Sequence, residues 1–187
     1  MISDQVLTTE RLILRTFVED DWRAVHEYAS DPEVVRCMPW GPNTEEVTRE
    51  FVRRATTAAT EQPRLKYDFA VTLRDSGRLI GACGIYLRLD RHQAHIGYVL
   101  NRAFWGKGCA TEAARALADF GFGELKLHRI FATCDVANPA SAHVLEKLAM
   151  RREGLMRQDV WEKGRWRDSL LYAVLEDEWQ PGEAPAR

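Results

Sequence analysis

The stretch HIGYVLNRAFWGKGCATEA, residues 95–113, places two glycines and a lysine between a strand-like segment and an alanine-rich segment with helical spacing. A helix that begins directly after glycines leaves its first backbone amides free, and the positive end of its dipole lies at the same place. Glycine also lets the backbone of such a loop approach an anion closely. Residues 104–111 therefore predict an anion-binding loop, and the surrounding sequence has to identify the anion.

Two nucleotide-binding loops match this stretch only in part. The loop of nucleoside triphosphatases needs a glycine where Asn101 stands, and here a glycine replaces the Ser or Thr that follows its lysine. The dinucleotide fingerprint G-x-G-x-x-G matches Gly106 and Gly108 but has Thr111 at the third glycine, and Asp135 can imitate its ribose-binding acid. A triphosphate is therefore disfavoured, and a dinucleotide-binding oxidoreductase remains a weaker alternative.

Composition indicates one globular domain, which we expect over residues 1–180 with a flexible tail at 181–187. The chain has 187 residues, 45% of them hydrophobic, and a net charge of −2. That charge gives no general attraction to nucleic acid or an anionic membrane, and no run approaches the roughly 18 apolar residues of a membrane span. Four scattered cysteines and the spacing of the histidines offer no metal site and suit a reducing cytoplasm. We expect a cytoplasmic monomer or homodimer without metal.

Hydrophobic periodicity predicts the element order strand, helix, helix, strand, strand, strand, helix, strand, helix, strand, strand. Helices are predicted over 19–31 and from Asn43 onward, with Glu46 as a capping-box partner. Asn138 followed by Pro139 is typical of a helix start, and a last hairpin is predicted to turn at 163–164. Hairpins with one strand-helix-strand unit predict an α+β fold in which helices cover a mixed, mostly antiparallel sheet.

These segments together resemble the GNAT superfamily of acetyl-coenzyme A-dependent N-acetyltransferases, in particular the branch with the ribosomal-protein N-terminal (RimJ/RimL-like) enzymes. The family loop [QR]-x-x-G-x-[GA] aligns with Trp105, Gly108 and Ala110, and N-x-x-S aligns with Asn138 to Ser141. The resemblance implies the acyl-CoA N-acyltransferase fold, an αβα sandwich. In this fold the strands before and after the loop's helix splay apart.

The resemblance also implies how acetyl-CoA is held. Backbone amides of the loop would cradle the pyrophosphate, and the exposed edge of the preceding strand would pair with the pantetheine arm as an added strand does. Asn138 would contact that arm, although it is equally explained as a helix cap. The implied cofactor-binding residues are Tyr98, Val99, Leu100, Trp105, Gly106, Lys107, Gly108, Cys109, Ala110, Thr111, Asn138 and Ser141.

The chemistry requires a neutral amine and a protonated leaving group. Deprotonation at pH 7 costs about 4.6 kcal/mol for a lysine but about 1.4 kcal/mol for an α-amine, so a weak base suffices for the latter. Related enzymes often have glutamate where this chain has His95, which becomes the candidate base. Many use a tyrosine where this chain has Leu145, so Ser141 is the candidate proton donor to the thiolate.

The acceptor is the least determined part of the prediction. Trp40 lies in a proline-flanked loop and is a candidate wall of the acceptor channel, although it could equally pack the first helices onto the sheet. The acceptor could be a protein or peptide N-terminus or a small-molecule amine. Because the usual glutamate and tyrosine are missing, a non-catalytic acyl-CoA-binding or sensing module is a second alternative.

Overall fold

The centre of the molecule is an eight-stranded sheet in the order β1-β2-β3-β4-β5-β6-β8-β7, seen in a computed structural model that describes residues 5–90 and 92–182. The strands are β1 (Leu7–Thr8), β2 (Leu12–Arg15), β3 (Lys66–Leu73), β4 (Leu79–Leu87), β5 (Gln93–Leu100), β6 (Arg129–Asp135), β7 (Arg151–Glu162) and β8 (Arg165–Leu175). The helices are α1 (Trp22–Ala29), α2 (Pro32–Val35), α3 (Glu45–Ala58), α4 (Cys109–Gly123) and α5 (Pro139–Lys147).

Helices cover both faces of this sheet. On one face α4 and α5 bury Leu117 and Leu145 against the sheet, and both leucines have no exposed surface. On the other face α1, α2 and α3 bury Val25, Val35 and Val52. Each such side chain stabilises the fold by about 1.5–3 kcal/mol relative to exposure. The predicted α+β fold, an αβα sandwich with a mixed and mostly antiparallel sheet, is confirmed.

The helix over 45–58 begins one residue later than its predicted start. Thr44, not Asn43, is the N-cap, and its hydroxyl accepts a hydrogen bond from the amide of Val47 at 3.3 Å. In this helix Val52 is buried in the core with residues of α1 and α2, and Thr48 Oγ1 lies 3.0 Å from Nδ1 of His26 on α1, whereas Val47 is 48% exposed. A capping threonine competes well with asparagine for this role, and the sequence contains both side by side.

The chain ends in the long hairpin of β7 and β8. It turns at Lys163 and Gly164, as predicted, with φ values of 48° and 77° that match the turn preferred between twisted strands. The predicted domain, 1–180, begins with residues that lie outside the described ranges. Most of the predicted tail, residues 183–187, also lies outside them. Within the described ranges, none of the helices is both long and apolar enough to cross a membrane.

Candidate active site

The glycine-containing loop connects the end of β5 to the first turn of α4. Gly106 and Gly108 adopt left-handed backbone conformations, with φ of 71° and 80°, which side-chain-bearing residues rarely adopt. Gly108 is the N-cap of α4 and offers no side chain, and the first bond into the helix runs from the Glu112 amide to the Gly108 carbonyl at 3.0 Å. The amides of residues 109–111 therefore point out of the helix end without an acceptor in the described part of the chain, as an anion site requires.

Arg11, which the sequence analysis did not single out, reaches this loop from the turn between β1 and β2. Its guanidinium donates to the Lys107 carbonyl at 2.9 Å and to Glu112, in the first turn of α4, at 2.7 Å. The ion pair raises the pKa of Arg11. Burial raises the pKa of Glu112, but hydrogen bonds from Thr9 and Arg11 outweigh it, so that pKa lies below its ordinary value. Nothing in the sequence shows that the first turn of the chain meets the fourth helix.

Trp105 closes the strand side of the loop. Its indole Nε1 donates to the Leu100 carbonyl at 2.9 Å, and the ring is 47% exposed. The Leu100 carbonyl, predicted to pair with the pantetheine arm, is therefore already bound within the protein. Lys107 lies with its ammonium 5.2 Å from the centre of the Phe104 ring. This contact holds the lysine at the rim of the loop, where it can add positive charge.

A gap opens between β5 and β6 directly before the loop. The two strands pair in parallel only through 93–95 on β5 and 129–131 on β6. Beyond that point β6 pairs only with β8, and β5 only with β4. The predicted splay is thus present, and it leaves one edge of β5 free of a neighbouring strand.

Alternation along β5 decides which backbone groups line the gap. The amide of Asn101 and the carbonyl of Gln93 bond toward β4, so odd-numbered residues of the strand face β4. Even-numbered residues, among them Tyr98 and Leu100, face the gap. The backbone of Val99 faces β4, which corrects its predicted place on the free edge.

Tyr98 and Ser141 meet across this gap. The Tyr98 hydroxyl lies 2.9 Å from Ser141 Oγ and 3.1 Å from the Ser141 carbonyl. Ser141 lies in the first turn of α5, where its amide donates to Asn138 Oδ1 at 3.1 Å. Asn138 therefore caps α5 through its side-chain oxygen. Its side-chain amide nitrogen is available to donate to another group. Burial raises the pKa of Tyr98, so its hydroxyl stays protonated.

His95 lies on the face of β5 opposite α4, between two aromatic rings. Its imidazole stacks on Tyr86 with ring centroids 6.2 Å apart and meets Phe131 at 5.4 Å. Burial lowers the pKa of His95 below its ordinary value of about 6.5. The side chain is therefore neutral at pH 7, which is the form that accepts a proton.

Tyr86, which supports the His95 ring, is fixed in turn by Asp68 on β3. The Tyr86 hydroxyl donates to Asp68 Oδ1 at 2.6 Å. Burial raises the pKa of Asp68 and of Tyr86. The orientation of His95 thus depends on a residue two strands away, which no spacing in the sequence indicates.

A cavity of about 360 Å³ opens beside His95 on the same face. Its lining consists of Arg88, Gln93, His95, Arg129, Phe131, Thr133, Met156, Asp159 and Leu171. Next to it, Gly97 leaves the sheet surface open, since the atom closest to the position of an added Cβ is His95 Cε1 at 3.9 Å. Gly97 lies beyond the last β5–β6 pair, so cavity and gap approach each other at His95 and Gly97.

Trp40 and Cys109 do not take part in this cavity. Trp40 is half-buried and packs on the core of α1, α2 and α3, which agrees with the second of its two predicted roles, and it does not line the cavity beside His95. Cys109 is buried in the core at the start of α4, with 4% exposed surface. In the part of the chain that the structure describes, no three His, Cys, Asp or Glu side chains form a group able to hold a metal ion.

Comparison with known proteins places this geometry in one family. Residues 11–151 match the sequence profile of the acetyltransferase (GNAT) domain. The uncharacterised N-acetyltransferase YnaD of Bacillus subtilis is 41% identical over 173 residues, which cover 92% of this chain and 98% of that one. The crystal structure of a GNAT-family acetyltransferase from Bacillus anthracis superimposes with a TM-score of 0.84 at 40% identity, covering 93% of this chain and all of the other. The [ribosomal protein uS5]-alanine N-acetyltransferase of Escherichia coli is 26% identical over 192 residues, covering 94% and 93% of the two chains.

Proposed function

The chain belongs to the GNAT acetyltransferase family and is an acetyl-CoA-dependent N-acetyltransferase; from this premise we propose that its acceptor is a free α-amine, which attacks the thioester directly. The observation that supports direct attack is the gap between β5 and β6, with the anion loop at one end and His95, the candidate weak base, at the other. An extended donor fits the gap, and the amine approaches from the cavity. We also propose a cytoplasmic enzyme, supported by four free cysteines.

The loop supplies the anion-binding part of the donor site. The free amides at the start of α4 and the positive helix end bind the pyrophosphate. Lys107 adds charge at the rim, and Arg11 holds the Lys107 carbonyl so that the loop keeps its shape. The other predicted loop residues, from Trp105 to Thr111, contact the pyrophosphate through the same stretch of backbone.

The free edge of β5 supplies the second part. The backbone of Tyr98 and the amide of Leu100 pair with the pantetheine arm, and Asn138 reaches it with its free amide nitrogen from the opposite side. A backbone amide of β5 at the narrow end of the gap donates to the thioester oxygen and stabilises the negative charge that develops there. Acetyl-CoA supplies the activated acetyl group.

His95 takes the proton that the amine must lose. As the new C–N bond forms, the C–S bond breaks, and the proton moves from the nitrogen to the neutral imidazole, directly or through a water. An α-amine is the acceptor that this weak base fits best, since its deprotonation costs about 3 kcal/mol less than that of a lysine. The uS5-alanine N-acetyltransferase among the relatives acts on such an amine.

Ser141 and Tyr98 return a proton to the departing sulfur. Ser141 Oγ donates to the thiolate, and the Tyr98 hydroxyl, 2.9 Å from Oγ and 3.1 Å from the Ser141 carbonyl, holds the serine in place. Two linked hydroxyls thus take the role of the tyrosine that related enzymes have at the position of Leu145.

The test is release of coenzyme A, read with a thiol reagent, across a panel of peptides, amino acids, polyamines and aminoglycosides. We expect peptides with a free α-amine to react at least tenfold faster than the same peptides with a blocked terminus and a free lysine. Equal rates would overturn the α-amine assignment. Binding of acetyl-CoA without release of coenzyme A from any acceptor would instead identify a non-catalytic binding module.

A further inference from the structure

Two described cationic side chains, Arg88 and Arg129, line the cavity beside His95, and within residues 5–90 and 92–182 one of them has no carboxylate partner. Both terminal nitrogens of Arg129 bond to the Glu153 carboxylate. Arg88 makes no ion pair within residues 5–90 and 92–182. Asp90, its close neighbour in sequence, accepts from the His92 amide at 3.0 Å instead.

Arg88 is an exposed residue at the rim of the cavity, and two contacts orient it. Its guanidinium lies 4.8 Å from the centre of the Phe131 ring, and the same ring meets the His95 imidazole at 5.4 Å. The backbone amide of Arg88 donates to the Gln93 carbonyl at 2.8 Å, which fixes the start of its side chain at the end of β4. A guanidinium that stacks on an aromatic ring keeps the N–H groups in its own plane free. It therefore loses little conformational entropy when it binds a carboxylate.

The opposite wall of the cavity has the other sign. Asp159 lies on β7, three strands beyond β5 in the sheet order, where the pairing with β8 shifts register. Within the described residues, Asp159 makes no ion pair with His95 and no ring contact with Phe131. A ligand whose anionic group lies on the β4 side of the cavity can form an ion pair with Arg88. A second anionic group on the β7 side would be repelled by Asp159.

From this arrangement we infer that the acceptor is a primary amine that also has a single carboxylate, which Arg88 binds while the amine lies beside His95. The inference rests on the proposed function and specifies the chemical class of its acceptor. Two sources offer this chemistry: a peptide with an acidic residue near its N-terminus, and a free amino acid with its α-carboxylate. A diamine, which would use Asp159 as its anchor, is the opposite case.

The experiment compares matched acceptors with the full-length protein. The acceptors are an Ala-Glu-Ala amide peptide, its Ala-Gln-Ala and Ala-Lys-Ala counterparts, free alanine, alaninamide and spermidine. We expect kcat/KM for the Glu peptide, or for alanine over alaninamide, to exceed that of the uncharged counterpart about tenfold, because a bidentate pair with a carboxylate is strong. A preference for the Glu peptide would identify a peptide acceptor, and a preference for alanine over alaninamide would identify a free amino acid.

Arg88→Gln is expected to lower kcat/KM for the carboxylate acceptor to that for the uncharged one, and to leave KM for acetyl-CoA unchanged. Arg88→Lys should restore part of the preference, and Arg53→Gln, remote on α3, should have no effect. A wild-type enzyme without preference for the carboxylate, or a preference that survives Arg88→Gln, overturns the inference. A preference for spermidine that is lost in Asp159→Asn also overturns it. Failure of the α-amine proposal is distinct, because it appears as inactivity toward the uncharged peptides as well.

Discussion

Arg11 and Glu112 lie 101 residues apart in the chain, and their side chains meet with Arg11 Nε 2.7 Å from Glu112 Oε2 at the start of α4. Glu112 also accepts from the Thr9 hydroxyl at 2.6 Å and from the Arg11 amide at 2.8 Å. Since Arg11 in addition donates to the Lys107 carbonyl, the turn between β1 and β2 supports the anion loop from outside. The shape of the loop therefore depends on the first strands of the fold as well as on its own glycines.

Replacement of Arg11 by alanine should weaken donor binding. The Lys107 carbonyl and Glu112 each lose a charge-assisted donor, but Arg11 is 48% exposed, so solvent reduces the effect. We expect KM for acetyl-CoA to rise about threefold to tenfold, with kcat less affected, in steady-state kinetics. Arg53→Ala, an exposed arginine paired with Glu50 on α3, is the control. Equal KM values in the two variants would mean that the loop does not need this support.

Substitution in the loop separates backbone from side-chain binding. Gly108→Val forces a left-handed conformation on valine, and an added Cβ lies 3.2 Å from the Arg11 guanidinium, so we expect a loss of acetyl-CoA affinity of more than about a hundredfold by calorimetry. Lys107→Ala removes one exposed charge and should cost about threefold. Gly164→Val, with φ of 77° in the turn between β7 and β8 and open space around its Cβ position, controls for strain alone. Similar losses in the two loop variants would show that side-chain charge dominates.

The pH dependence of the rate should report His95. A base must be neutral, and burial lowers the pKa of His95, so protonation should reduce kcat/KM only as the pH falls below about 6.5. Expressed per concentration of neutral amine, which itself titrates at about pH 8, the rate should be level above about pH 6.5. In His95→Gln this acid limb should vanish and kcat should fall about a hundredfold. An acid limb that persists in the variant would assign it to another group.

The same lowered pKa predicts an effect on stability. The unfolded chain binds a proton at His95 near pH 6.5, whereas the folded chain does so only at lower pH. The free energy of unfolding should therefore fall as the pH is lowered from about 6.5 through the folded pKa, and His95→Gln should lose this contribution. Urea titrations of both proteins between pH 5 and 8 measure the difference. An identical pH dependence would mean that the imidazole is not desolvated.

The hydroxyl pair across the gap can be tested one member at a time. Ser141→Ala removes the proposed proton donor to the sulfur and should lower kcat by about tenfold to a hundredfold with little change in KM for acetyl-CoA. Tyr98→Phe keeps the ring and removes only the hydroxyl, and it should lower kcat less. The double variant should be no slower than Ser141→Ala, because the two act in sequence. Additive losses would show that the hydroxyls act independently.

A buried ion pair makes a separate prediction about stability. Arg167 and Glu162 pair at 3.2 Å with 8% and 3% of their side chains exposed, and Arg167 also donates to the Cys37 carbonyl at 3.1 Å. Arg167→Ala leaves the Glu162 carboxylate without its partner inside the protein, which costs about 3–5 kcal/mol. Urea denaturation measures this loss, with Arg53→Ala as the exposed control, expected to cost about 1 kcal/mol or less. A loss as small as that of the control would show that the loop around Cys37 opens to water.

Local patterns predicted the longer elements well because their signals are local, whereas the short β1 and α2 were not predicted. Asn138 and Pro139 start α5, and the turn at Lys163 and Gly164 joins β7 and β8, as the residue types require. The start of α3 was missed by one residue, since Asn43 and Thr44 are both good caps, and the Asn43 backbone is bound instead to the Ala29 carbonyl at the end of α1, at 3.0 Å. Where two neighbouring residues satisfy the same local rule, tertiary contacts select one.

The sequence by itself determined the sheet, the glycine loop, the helix that follows it, and through them the acetyl-CoA-dependent family. Backbone conformation and helix ends depend on residues close together in the chain, so these features are visible in the letters. Only the tertiary structure decided that Arg11 supports the loop, that Tyr98 and not Val99 faces the gap, and that Arg88 and His95 share the ring of Phe131. These relationships join strands distant in sequence, and their geometry depends on register, splay and the side chains that fill the space between.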